Sequence, residues 1–220
     1  MQLQLPAQLD TRTALRYLGA AGWTPDEATV QLLARAESAL RAAATPRGIW
    51  RPLPLSVLPL DTAGTDLARH LKGCTGMVLM AATLGSGVDA ALRRLCLQDI
   101  ALGTVADAVA SVLLEQVCDS FEAEIRRQVT GTDRYMTGRY SPGYGDCPLT
   151  LQRDLCLALD TVRGIGLCLT PDCLMTPRKS VTAILGTADH PVTGARAGCA
   201  TCALREKCAY RKKGTTCATE

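Results

Sequence analysis

Aromatic residues are scarce in this chain: one Phe, two Trp and five Tyr among 220 residues. A core cannot be organised around packed rings, and the 47% apolar fraction is carried by Ala, Leu and Val, which predicts close-packed helices. Histidine is equally rare. His70 and His190 are the two in the chain and neither sits beside an acidic motif, so a Ser/His/Asp or Cys/His catalytic pair has little material. The GxxxxGK loop followed by Ser or Thr is missing, as is GxGxxG, which leaves the two commonest nucleotide-binding loops unsupported. Excess charge is missing too: the net of +3 does not call for nucleic acid or an anionic membrane as partner. MQLQLPAQLD has no basic stretch followed by an apolar one. The longest apolar run, ALGTVADAVASVLLEQVC, is interrupted by Asp107 and Glu115 before it reaches bilayer length. A soluble, cytoplasmic protein without membrane contact is expected.

What is present is mostly helical pattern. A first helix is expected from near Asp10, and a second over TPDEATVQLLARAESALRAAAT, with Thr24 as N-cap, Pro25 at the first helical position and Glu27 closing a capping box. Val30, Leu33, Ala34 and Leu40 supply its 3.6-residue period. GIWRPLPL holds two Pro and reads as extended, at most an edge strand. A short helix is expected over 65–71, and GMVLMAAT reads as a buried strand. The helical region from about Ser86 to Gln128 is too long for one ordinary helix and should break between Gln98 and Gly103. Leu151, Leu155 and Leu159 recur at i, i+4 and i+8 and predict another helix. GLCL and KSVTAIL are strand-like and flank a turn at PDCLMTP.

Eleven Cys are unusual for a cytoplasmic chain, where disulfides are not maintained. Four of them, Cys199, Cys202, Cys208 and Cys217, crowd into CATCALREKCAYRKKGTTC. CxxC is the local turn that brings two thiolates together for zinc or an iron-sulfur cluster, and the neighbouring Lys207, Arg211, Lys212 and Lys213 would offset thiolate charge. The pattern leaves three readings open: a zinc staple, an iron-sulfur cluster, or a tail with incidental thiols. Cys96, Cys118, Cys156 and Cys168 lie in apolar segments and are expected to be small core residues; Cys74 and Cys147 are expected to pack too, with approach to a ligand as the alternative. Composition shifts after Gly186, which divides the chain into residues 1–186, helical over about 1–60, and a Cys-rich segment 187–220.

Two of the five Tyr fall in RYSPGYGDCP, residues 139–148. Pro142 fixes φ, Gly143 permits positive φ, and Pro148 constrains Cys147 to an extended conformation, so the loop is stiff. Arg139 offers a bidentate grip for a carboxylate or phosphate, and a Tyr ring can cover a flat group or a cation. The same features also suit a rigid surface turn.

Arg139-Tyr-Ser-Pro-Gly143-Tyr144 resembles the RxxxGY motif of the reactivation domain of cobalamin-dependent methionine synthase. The likeness continues through Cys147-Pro148 and into GLCLTPDCLMTPRKSVTAIL, at Gly166, Leu169, Thr170, Met175, Pro177, Ser180 and Val181. It is good over about 100–186, thinner before, and lost after Gly186. The resemblance implies an α+β fold with a twisted antiparallel sheet and long helices, and it implies S-adenosylmethionine binding. Arg139 would hold the donor's carboxylate, the backbone from Tyr140 through Gly143 to Tyr144 would meet its polar edges, and Glu115 or Asp119 would accept from its amino group. Two departures stand beside it: the family's N-terminal Asp-containing segment has no recognisable counterpart, and its C-terminal Tyr-bearing stretch is replaced by the Cys run. No DxHxxG segment is present, so cobalamin is expected on a partner. The implied role is reductive remethylation, in trans, of a methionine synthase or other corrinoid protein, with an electron from a flavodoxin or ferredoxin. The alternative is a non-enzymatic adaptor or metal-binding protein that kept the fold without the donor site.

Overall fold

The computed structural model describes residues 1–130, 135–192 and 194. Helices α1 (Thr11–Tyr17) and α2 (Glu27–Ala43) lead into strand β1 (Arg47–Leu53), then α3 (Thr65–His70) and β2 (Gly76–Thr83). Helices α4 (Ser86–Gln98) and α5 (Ile100–Thr130) follow, then β3 (Tyr135–Met136), α6 (Leu151–Leu159) and α7 (Thr161–Ile165). The hairpin strands β4 (Cys168–Leu169) and β5 (Met175–Thr176) precede β6 (Ser180–Ala188). The main sheet is antiparallel throughout, in the order β1-β2-β6-β3, and β4 with β5 forms a separate small one.

Strand β2 shows why GMVLMAAT reads as an unbroken apolar run. Side chains alternate across a strand, and both faces of this one are covered. Val78, Met80 and Ala82 join a core with α1, α2, α4 and α5, while Met77, Leu79 and Ala81 join a second core with α3, α6 and α7. Leu151, Leu155 and Leu159 enter that second core as their spacing predicts. Pro52 is tolerated in β1 because β1 is an edge strand.

Helix α2 starts later than its capping box suggests. Asp26, not Thr24, is the N-cap, and its Oδ1 accepts from the Thr29 amide at 2.9 Å. An aspartate three residues ahead of a free amide is a stronger acceptor than a threonine displaced by two positions. The buried seam is Leu33, Ala36 and Leu40, whereas Val30 is 49% exposed and Ala34 also faces solvent. The packing of α2 on α5 and α4 selects that stripe.

The predicted break between α4 and α5 falls at Asp99, which is extended (φ −160°, ψ 123°) and serves both helices. Its amide donates to Leu95 O, and its Oδ1 accepts from the Ala101 amide at 2.8 Å. Four residues on, Gly103 lets α5 lie against the α4 backbone: a Cβ there would sit 2.6 Å from Cys96 Cα. Since backbone cannot swing aside as a side chain can, Gly103→Ala is expected to cost about 1–3 kcal/mol, read as a lower urea midpoint with an unchanged slope. Helix α5 is long and apolar enough to cross a bilayer by length and composition, yet in this fold it is a core helix.

Two of the four cysteines expected in the core are not there. Cys118 and Cys156 are buried, but Cys96 and Cys168 are exposed. Cys96 follows Leu95 and so falls off the inward stripe of Leu92 and Leu95, and Cys168 follows the buried Leu167 and turns to the other face of a two-residue strand. Cys147 is buried and Cys74 half-buried. No disulfide forms among the described residues. Strand β6 continues past Gly186 to Ala188.

Candidate functional site

The segment that carries Arg139 follows β3 along the edge of β6 that faces away from β2. Thr137 N donates to Gly186 O, Gly186 N donates to Thr137 Oγ1, and Tyr140 exchanges main-chain hydrogen bonds of 2.9 and 2.8 Å with Ile184. His70 adds a tie from α3: its Nε2 lies 2.8 Å from Thr137 Oγ1 and 3.0 Å from Gly138 O. Both flanks of Arg139 are therefore pinned, and its side chain leaves from a fixed origin.

Beyond Tyr140 the chain turns, with Gly143 at φ +89° and its amide donating to Cys147 O. Tyr140 Oη donates to Tyr144 O at 2.9 Å, and burial first of all pushes that phenol up to about 12, so it keeps the proton it donates. Asp146 latches the turn to α3. Its Oδ2 accepts from the Thr65 amide and hydroxyl at 2.8 and 2.6 Å, and its Oδ1 from the Asp66 amide at 2.9 Å.

The Thr65 hydroxyl, followed by the amides of Asp66 and Thr65, holds the Asp146 carboxyl below its ordinary value. The latch is then fully present above the unfolded aspartate value of about 3.9 and is lost as pH falls through the depressed folded value. Protection of the Thr65 and Asp66 amides against exchange, relative to their intrinsic rates, is expected to hold down to about pH 4 and to fall below it. In Asp146→Asn that protection should be reduced at every pH.

Arg139 is drawn into a cluster of acids along one face of α5. Glu115, Asp119 and Glu122 lie at i, i+4 and i+7, which places them on one stripe. Nη1 of Arg139 donates to Glu122 Oε2 at 3.0 Å, and Nη2 donates to Asp119 Oδ1 at 2.7 Å and Glu115 Oε2 at 3.3 Å. Burial works against the Arg139 charge, but the Asp119 hydrogen bond and the surrounding negative charges more than offset it and raise its pKa. Cys118, buried beside the cluster, is pushed up to about 12, chiefly by burial, and is no nucleophile.

Both acids named from the sequence, Glu115 and Asp119, are thus brought to Arg139, and Glu122 and Arg126 join them. Arg126 Nε and Nη2 donate to Glu122 Oε1, Nη1 donates to Met136 O at 3.0 Å, and Nη2 also reaches Thr137 O. The signal for Glu122 lay in the same i, i+4, i+7 spacing. Arg126 stands four residues after Glu122, an i, i+4 pair, while its other partners, the carbonyls of Met136 and Thr137, carry no side-chain signal. Tyr144 is 68% exposed, so its ring lies open beside the turn.

Cys199, Cys202, Cys208 and Cys217 lie outside the described residues. Among the described residues no three His, Cys, Asp or Glu side chains gather to hold a metal. A concavity of about 560 Å³ opens elsewhere, between Leu53, Thr75, Met77, Thr187 and Asp189, and none of the residues around Arg139 lines it.

No family model and no curated protein matches the chain. Among solved structures, the crystal structure of the MetH reactivation domain bound to AdoHcy is similar, with a TM-score of 0.60 and 18% identity. The likeness covers 94% of this chain and 82% of that one. The expected α+β fold, helices against an antiparallel sheet, is therefore that of a reactivation domain, and it extends well before residue 100, where the motifs thin out.

Proposed function

We propose that this chain binds S-adenosylmethionine at the Arg139 loop and supports reductive remethylation of a corrinoid carried by a separate protein. One observation carries the reading. A pinned arginine, set in an RxxxGY loop and turned toward exposed carboxylates, sits in the fold that in the MetH reactivation domain is bound to AdoHcy. The amino-acid end of such a ligand presents a carboxylate to Arg139 and an ammonium to Glu115 and Asp119, and the Tyr144 ring is free to cover its flat base.

Bound S-adenosylmethionine supplies an electrophilic methyl group, and the chain contributes position: a donor clamped at its amino-acid end is held in one orientation toward an incoming partner. The partner is a cobalamin-dependent methionine synthase or another corrinoid protein, and a flavodoxin or ferredoxin supplies the electron, in the cytoplasm. Cys199, Cys202, Cys208 and Cys217 are proposed ligands of one zinc ion or one iron-sulfur cluster. Metal analysis and a visible spectrum after anaerobic purification choose between them, and protein free of both removes that part of the reading.

Isothermal titration tests the donor site. S-adenosylhomocysteine and S-adenosylmethionine are expected to bind with dissociation constants below about 1 mM. Absence of heat at millimolar ligand would return the chain to the adaptor reading.

A further inference from the structure

The acids around Arg139 do not share it evenly. Three carboxylates face two guanidiniums, those of Arg139 and Arg126, so the cluster carries one negative charge in excess. Glu122 has Nη1 to itself and is 18% exposed. Its other oxygen is taken by Arg126, which is anchored to the carbonyls of Met136 and Thr137 just upstream of Arg139. Nη2 is shared instead by Asp119, 67% exposed, and Glu115, 47% exposed.

Resting on the S-adenosyl reading above, we propose that Glu122 is a positioning residue that keeps Arg139 aimed, while Asp119 and Glu115 are exchangeable occupants of its outer edge. An incoming α-carboxylate takes Nη2 from them, and the α-ammonium of the same ligand takes the acid so released. Exposed ion pairs are worth little and part readily, whereas a carboxylate bridging two part-buried arginines does not. The exchange also selects its ligand. A zwitterionic amino-acid end leaves the charge of the cluster unchanged, while a plain carboxylate would add a second unbalanced negative charge.

The test compares S-adenosylhomocysteine with its deaminated analogue by titration calorimetry on the full chain. Wild type should prefer the amino-bearing ligand by roughly tenfold or more, the worth of a charged hydrogen bond. Asp119→Asn should shrink that ratio toward one. Glu122→Gln should weaken both ligands by a similar factor and leave the ratio intact, with Glu122→Asp recovering part of the loss. Thermal melts confirm that each variant is folded, and if Glu122→Gln melts below the assay temperature, Glu122→Asp carries the comparison. An unchanged ratio in Asp119→Asn, or wild-type affinity in the Glu122 variants, overturns the exchange while the donor site stands. A wild type that binds neither ligand removes both.

Discussion

Arg139→Ala is expected to raise the dissociation constant for S-adenosylhomocysteine by about a hundredfold, because the charge-assisted contact at Nη2 is lost and an acidic wall remains where the carboxylate must sit. Removing the guanidinium leaves Glu115 and Asp119, at i and i+4 on α5, to repel one another, with Glu122 held by Arg126 alone. Arg139→Lys should do nearly as badly. A single ammonium cannot hold Glu122 on one edge and present the other edge to a ligand. Calorimetry on both variants checks this, and near-native affinity in Arg139→Lys would show that charge suffices and geometry does not matter. Melting of Arg139→Ala should fall only modestly, since two of its three ion pairs are with well-exposed acids.

The largest expected effect on stability lies at Phe121, the single phenylalanine of the chain. It is 2% exposed in the core between α5 and the sheet, and its ring edge packs on Gly48 of β1, where a Cβ would lie 2.6 Å from Cε1. Phe121→Ala empties that space on a rigid edge strand and should cost about 3–5 kcal/mol. For a chain of this size that corresponds to a melting temperature lower by roughly 10 °C. Urea unfolding monitored by circular dichroism reads the loss, and a change under about 1 kcal/mol would mean that β1 collapses onto α5 to close the cavity. Since Phe121 neighbours Glu122 on the same helix, a folded Phe121→Ala should also bind the donor more weakly.

Much of the architecture was legible because its signals are local. Leu151, Leu155 and Leu159 declare a helix face by spacing alone, GMVLMAAT declares a strand with both sides covered, and the two Pro of GIWRPLPL declare an edge. The misreadings came where neighbours along the chain compete. Asp26 outcompetes Thr24 for the same helix start, and Cys96 and Cys168 sit one residue off an inward position within apolar surroundings. For the site, RxxxGY located Arg139, and Glu115 and Asp119 were within reach of the argument. Glu122 shares their spacing and Arg126 stands four residues after it, but which stripe of a 31-residue helix faces the Arg139 segment is set by packing and not by spacing.

The sequence alone determined the elements, the stiff turn and the residue at its head, since backbone propensity and periodicity act between residues a few positions apart. Tertiary structure decided what Arg139 meets. Its charge is shared among three acids 17 to 24 residues away, one part-buried and two more open to solvent, only because β6 holds its backbone while α5 runs alongside. Coulomb and hydrogen-bond energies depend on distance and burial in space, and the packing of a helix on a sheet sets both.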